Sequence, residues 1–315
     1  MEYTIEELRY LSSDEEHKIY AKIFIPKNEI KGIFQICHGK NGYISKYDEL
    51  AGIFASRGYV VCGNTHLGHK DSVNSVEELG FFGEFNGAQY LVSDVRKLTQ
   101  IIKKRFPNQP IFLFGHSMGS FIARSYIIKY GDELTGVIIS ATAGPQLLFD
   151  SGIAFLNAVI AKKGYHFRSE KIYRILFKAA NRQIENPKND YAWVSKKSEE
   201  FVSGLTKTPF TVTGLRDILI LIKKCNAQVE INKISKELPL YFFSGTEDPL
   251  GEYGEGVKRA VKLYEKAGIK DLTLKLYEGS RHECLSEDNR LEVMDEMFQW
   301  MEKRKNKGKN ECGMD

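Results

Sequence analysis

Short apolar runs alternate with longer amphipathic stretches along this chain, and that rhythm predicts most of its elements. Near the N-terminus, "YTIEELRYL" and "HKIYAKIFIP" flank the turn-rich "SSDEE" and predict an antiparallel hairpin. "KGIFQICHG" and "YVVCGNT" are short buried-strand runs, and between them "YDELAGIFASRG" has helical spacing with Gly58 as its stop. A glycine-rich loop leads into a long helix, "AQYLVSDVRKLTQIIKKRF". Lys103, Lys104 and Arg105 crowd its last turn, where cations suit the helix dipole, and Pro107 ends it. "PIFLFG" then reads as a strand, "SMGSFIARSYIIKYG" as a helix and "LTGVIISA" as a strand. Further on, "LPLYFFSG", "GVKRAVKLYEKAG", "DLTLKLYEG" and "LEVMDEMFQWME" repeat the order strand, helix, strand, helix.

Buried-looking strands joined through helices predict an α/β fold, with a mostly parallel central sheet and helices on both faces. The alternation breaks after Ala143 and resumes near residue 237. Residues 144–236 read as helical, aromatic and basic, as in "AKKGYHFRSEKIYRILFKAANRQ", with no buried strand. The expected organisation is one core made of residues 1–143 and 237–302, a helical cap inserted over 144–236, and a tail over 303–315. That tail is polar and without apolar period, so disorder is expected there.

Composition narrows the function classes. Hydrophobic residues make up 42% of the 315 positions and charged residues 27%, which is ordinary for a soluble protein large enough to bury a core without staples. The net charge of +4 is slight, and much of the visible excess lies in the tail. No basic stripe is interleaved with aromatics, so no nucleic-acid partner is expected. The mild basicity would aid transient contact with a membrane surface or micelles, although a solvated tail accounts for it. The five cysteines are odd in number and form no C-x-x-C pair, which points away from disulfides and toward a reducing compartment. The first residues do not read as a secretory signal, and no run approaches the ~18 apolar residues of a membrane span, so a cytoplasmic location is expected.

The chemistry concentrates at "GHSMG", residues 115–119. A strand precedes this G-x-S-x-G and a helix follows it, the setting in which a serine hydroxyl is forced into the open on a tight turn. Side chains at Gly115 and Gly119 would collide across such a turn. The helix N-terminus and the Met118 N–H would face a negative oxygen formed there. A serine needs a base and the base an orienting acid, and on this kind of sheet they follow in the order Ser, acid, His beyond later strands. "SRHE" after the last strand nominates His282 as base. His116 adjoins the serine, and its ring is expected to leave on the opposite side. "TEDPLG" after the preceding strand nominates Asp248 as acid, with Glu247 as rival. The loop after the first parallel strand, "ICHGKNG", nominates the Lys40 N–H as a second oxyanion donor beside Met118.

The segments "CHGKNGYISKYDELAGIFASRGYVV", "THLGHKDS", "GHSMGSFIAR", "SGTEDPLG" and "YEGSRHECLSE" resemble the monoacylglycerol lipase and lysophospholipase branch of the α/β-hydrolase superfamily. The resemblance spans about residues 30–143 and 237–302, in the family's order. It implies a Ser117–His282–Asp248 triad, a Lys40/Met118 oxyanion hole, a helical cap over the site and hydrolysis of lipid-like carboxylic esters without a cofactor. "NTHLGHKDS" departs from the usual D-x-x-G-H-G-x-S at Thr65 and Lys70, which leaves the triad intact and loosens the monoglyceride assignment. Two other readings stay open: a proline-type aminopeptidase on the same core, and a binding protein without catalysis. His66 and His69 form an H-x-x-H that would suit a metal only with further ligands, and a packed loop is the expectation. "GFFGEFNG" lacks the Lys-Ser/Thr of a phosphate-binding loop.

Overall fold

The computed structural model describes residues 2–146, 149–181, 184, 191–197 and 209–306. The tail predicted over 303–315 therefore lies, from residue 307 on, outside the described residues, as do parts of the 144–236 stretch.

Among the described residues the strands form one eight-stranded sheet in the order β1-β2-β4-β3-β5-β6-β7-β8. They are β1 (Tyr3–Leu11), β2 (Lys18–Pro26), β3 (Gly32–Cys37), β4 (Tyr59–Asn64), β5 (Ile111–His116), β6 (Gly136–Ser140), β7 (Leu240–Gly245) and β8 (Leu272–Tyr277). β1 and β2 form the expected hairpin, in register from Leu11 opposite Lys18 to Tyr3 opposite Pro26. β2 also runs antiparallel to β4, and all later pairings are parallel. β3 to β7 are buried along their whole length, which is why each reads as a continuous apolar run. β8 closes the sheet as an edge strand and carries an exposed Lys275.

Strand alternation sends side chains to two cores. On one face Phe34, Ile36, Phe112, Phe114 and Phe243 meet α1 (Asp48–Ser56) and α9 (Arg290–Glu302). On the other, Ile33, Leu113, Val137 and Phe242 meet α2 (Gly87–Arg105), α3 (Met118–Tyr130) and α8 (Glu255–Lys266). Each fully buried large side chain contributes about 1.5–3 kcal/mol relative to exposure.

Between β6 and β7 the described residues hold α4 (Phe149–Lys163), α5 (Glu170–Asn181), α6 (Val212–Cys225) and α7 (Gln228–Ile231), with a single bridge between Arg168 and Thr211. α6 buries Val212, Leu215 and Leu221 in the same core as α2 and α3. No helix among the described residues is long and apolar enough to cross a membrane.

One buried guanidinium ties these parts together. Arg124 on α3 is fully buried and makes five hydrogen bonds. Nε donates to the Tyr264 hydroxyl at 3.0 Å; Nη1 donates to Thr142 Oγ1 and the Ala143 carbonyl, each at 3.0 Å. Nη2 donates to the Cys225 carbonyl at 2.9 Å and to Asn226 Oδ1 at 2.7 Å. α3, the exit of β6, the end of α6 and α8 thus share one side chain. Each buried acceptor left unmet costs about 1–3 kcal/mol. Arg124→Met is expected to lower the unfolding temperature by roughly 6–12 °C, measured by calorimetry. An unchanged temperature would show that these bonds contribute nothing net.

Candidate active site

The order of the strands reverses beside β3: the chain passes from β3 to β4 on one side, then returns to β5 on the other. Crevices for ligands open at the carboxyl ends of strands at such a point. Ser117 stands at the end of β5 with φ 53° and ψ −119°, a backbone conformation that L residues rarely adopt. Its N–H donates to the Ser140 carbonyl at 3.0 Å, and its carbonyl accepts from the Ser120 N–H at 2.8 Å and the Ser120 hydroxyl at 2.5 Å.

Both flanking glycines are required: at Gly115 the collision is across the turn, as expected, whereas at Gly119 it is with the neighbouring strand. A Cβ on Gly119 would lie 2.0 Å from the Cys37 carbonyl oxygen, so that glycine lets α3 start against the end of β3. A Cβ on Gly115 would lie 2.4 Å from the Gly119 carbonyl oxygen and 2.8 Å from the Ala123 Cβ. The end of β3 sets the limit at Gly119, and the first turns of α3 set it at Gly115.

The loops after β7 and β8 bring two more side chains to this point. His282 Nε2 lies 2.8 Å from Ser117 Oγ, and His282 Nδ1 lies 2.9 Å from Asp248 Oδ2. Asp248 is fully buried; its Oδ1 accepts the Leu250 N–H at 2.9 Å and its Oδ2 accepts the Ser244 hydroxyl at 3.2 Å. An ionised carboxylate only accepts, so Nδ1 carries the proton and Nε2 offers its lone pair to the serine hydroxyl. The rival Glu247 turns outward to Lys196 at 3.3 Å and Arg281 at 3.8 Å.

Met118 opens α3 and lines the same cavity as Ser117, His282 and Lys40. The loop after β3 presses close: a Cβ on Gly39 would sit 3.1 Å from the Ser117 Cβ. His116 does not leave on the far side as its position in sequence suggests. Its ring centroid is 5.2 Å from that of His282, and Nδ1 lies 3.3 Å from Ser140 Oγ. The left-handed turn at Ser117 ends the strand's alternation, so neighbours in sequence need not point apart there. Burial drives the His116 pKa well down, with a further push from His282.

Two groups went unnoticed in the sequence. Trp193 packs its ring 5.1 Å from the His282 ring, and its neighbours pair with the His282 loop. Glu283 N–H donates to the Val194 carbonyl at 2.8 Å, and Arg281 Nη1 to the Ala192 carbonyl at 2.7 Å. The Lys40 side chain, beyond its backbone, reaches across the cavity, where Nζ donates to the Tyr173 hydroxyl at 2.7 Å and lies 4.7 Å from that ring's centroid. Burial draws the Lys40 pKa down to about 7. The cavity has a volume of about 270 Å³, with Phe121, Phe149, Ile218 and Ile222 among its apolar walls.

His66 and His69 belong to a buried aromatic stack beneath the site. The His66 N–H donates to His38 Nε2 at 2.9 Å, and the His38 ring lies 4.1 Å from His66 and 5.0 Å from His69. His69 stacks on Phe82 at 5.8 Å. Among the described residues no group of three or more His, Cys, Asp or Glu is placed to hold a metal ion.

Against known proteins, residues 28–289 match the family model described as "Serine aminopeptidase, S33". The chain is 24% identical to the monoglyceride lipase of Mus musculus over 279 residues, 88% of this chain and 84% of that protein. It is also 24% identical to a monoacylglycerol lipase of Mycolicibacterium smegmatis over 290 residues, 90% of this chain and 92% of the other. Among solved structures, a thermostable carboxyl esterase from Bacillus coagulans superposes with a TM-score of 0.89 at 26% identity, covering 96% of this chain and 99% of that one. A monoglyceride lipase from Saccharomyces cerevisiae superposes with a TM-score of 0.68 at 19% identity, covering 97% and 96%.

The histidine stack generates a stability prediction. Burial lowers the pKa of His66 to about 3 and of His69 to about 4, so both are neutral when folded at neutral pH. Unfolded imidazoles bind protons below about pH 6.5, so the unfolded state gains protons first as pH falls. Stability is therefore expected to fall from about pH 6.5 toward pH 4, by up to roughly 1.4 kcal/mol per pH unit for each such histidine. Urea unfolding at about pH 5 and about pH 7.5 checks this, and His69→Gln should shrink the difference. An equal difference in the variant would count against a neutral buried His69.

Proposed function

The chain belongs to the serine aminopeptidase S33 family and has the α/β-hydrolase fold, and from that premise we propose that it hydrolyses carboxylic esters of lipid-like substrates, lysophospholipids or monoacylglycerols, through an acyl-enzyme. The observation that carries this reading is the continuous contact Ser117 Oγ–His282 Nε2–Nδ1–Asp248 Oδ2, at 2.8 Å and 2.9 Å, beside an apolar cavity.

In the proposed cycle, Ser117 Oγ attacks the acyl carbonyl carbon while His282 Nε2 takes its proton. Asp248 holds the resulting imidazolium in place through Nδ1–H. The carbonyl oxygen becomes an oxyanion, held by the backbone N–H groups of Met118 and Lys40. Losing one such donor costs about 3 kcal/mol of transition-state stabilisation. The C–O bond to the alcohol then breaks, and His282 returns its proton to the departing oxygen. Water enters, gives a proton to His282 and attacks the acyl carbon, and the fatty acid leaves as Ser117 regains its proton. No cofactor enters the cycle.

The segment 144–236 acts here as a cap, because Phe149, Ile218 and Ile222 supply the cavity's apolar wall. Each methylene of an acyl chain buried there contributes about 0.8 kcal/mol. The aminopeptidase reading requires a negative subsite for a substrate amine. Among the described residues the lysines and carboxylates lining the cavity are Lys40, Lys46 and Glu283, two basic groups and one acid, which favours the ester reading. The four described cysteines are buried and unpaired, in keeping with a reducing compartment.

A fluorophosphonate probe is expected to add covalently to the protein, detected by intact mass, and Ser117→Ala should abolish the adduct. The same substitution should lower kcat for p-nitrophenyl acyl esters about 10⁶-fold, and Asp248→Asn about 10⁴-fold. Full-strength labelling of Ser117→Ala would reject Ser117 as nucleophile. Preferential cleavage of aminoacyl amides would favour the peptidase reading.

A further inference from the structure

Residues 192–194 run alongside the loop that carries His282, each one bonded to the next residue of that loop. Arg281 Nη1 donates to the Ala192 carbonyl at 2.7 Å, the His282 N–H to the Trp193 carbonyl at 3.5 Å and the Glu283 N–H to the Val194 carbonyl at 2.8 Å. Glu287, a buried carboxylate with no part in the proposed cycle, extends the pairing. Its Oε1 accepts the Arg281 N–H at 3.1 Å and the Lys196 N–H at 3.2 Å. Lys196 also pairs with Glu247, the neighbour of Asp248, at 3.3 Å. A short piece of the 144–236 segment is therefore bonded to both loops that bring side chains to Ser117.

Trp193 is the member that meets the imidazole itself. It is buried, it lines the cavity, and its ring centroid lies 5.1 Å from that of His282 with the planes 57° apart. Ring pairs at such distances attract beyond the area they bury. The bonds from His282 to Ser117 Oγ and Asp248 Oδ2 lie at the ring nitrogens and weaken steeply once the ring tilts away from them. A packed indole resists that tilt, and the bonds at residues 192–194 hold the indole to the same loop.

We propose that Trp193 is a positioning residue: pressed on the imidazole, it keeps His282 Nε2 aligned with Ser117 Oγ, so that proton transfer depends on this piece of chain being seated. The proposal rests on the ester-hydrolase reading and adds to it a residue that acts through His282. Alignment of reacting groups is demanding, and a misplacement of about 1 Å costs about 10²-fold in rate.

The experiment measures kcat and KM for p-nitrophenyl acetate, butanoate and octanoate. Trp193→Leu is expected to lower kcat by about 10- to 100-fold, by the same factor for all three esters and with KM little changed, while Trp193→Phe keeps most of the rate. A residue that only walls the cavity gives another pattern, in which KM rises with acyl length and the acetate is spared. That pattern, a kcat loss under about threefold, or an equal loss in the two variants overturns the inference. Tryptophan emission tests the contact without a variant of Trp193 and without turnover. The chain has two tryptophans, and Trp300 of α9 packs against Phe112 and Tyr241. An imidazolium in contact with an indole quenches its emission, so emission should fall as His282 gains a proton on acidification, and His282→Gln should remove that step. No step, or the same step in His282→Gln, overturns the inference. Hydrolysis of none of the three esters would sink the ester-hydrolase reading, while the emission titration would still decide whether Trp193 rests on His282.

Discussion

The start of α3 has almost no space, and most of the molecule is arranged around that fact. β3 and β5 lie side by side with Cys37 opposite Gly115, and the helix that follows β5 must begin directly against the end of β3. Only a residue without a side chain fits at 119, where a Cβ would sit 2.0 Å from the Cys37 carbonyl oxygen. The same tightness forces Ser117 into its rare backbone angles, at an expense of order 1–3 kcal/mol that its three backbone-directed hydrogen bonds help offset. It also sets Ser117 against Gly39, so one steric constraint places the serine, the first turn of the helix and the loop after β3 together.

Burial then divides the titratable groups around this point into two kinds. His38, His66, His69 and His116 are enclosed, and desolvation leaves each neutral. His282 differs because a fully buried carboxylate adjoins one of its ring nitrogens. A positive charge arising on that ring has a partner already in place, whereas His116 faces the Ser140 hydroxyl and the His282 ring. On the proposed reading, the carboxylate beside His282 directs the proton to that imidazole among the crowded ones.

The sequence made the sheet legible because parallel strands buried on both faces must be apolar throughout, as in "GIFQIC" and "LYFFSG". The glycines around Ser117 signalled a turn between strand and helix, and chain order singled out Asp248 and His282, which the structure brings to that turn. What stayed hidden depends on contacts between distant segments. The collision limiting Gly119 involves residue 37, which spacing within "GHSMG" does not reveal. His116 was misjudged because strand alternation was carried through a residue with positive φ. Trp193 carries no local mark of its contact with a ring 89 positions later. Lys40 was noticed for its main chain alone, since its side chain acquires a setting only when Tyr173 arrives from α5.

The strip of chain from Ala192 to Val194 has a consequence of its own. It comes from the segment whose helices wall the cavity, yet its carbonyls accept hydrogen bonds from the loop bearing His282, and its indole lies on that imidazole. On the proposed reading, fit and turnover are accordingly not separate dials in this protein: reshaping the roof to admit a different guest also tugs on His282 beneath it. Remodelled relatives of this chain should therefore be judged on speed and selectivity together, with the indole and its two flanking carbonyls treated as part of the proposed catalytic floor.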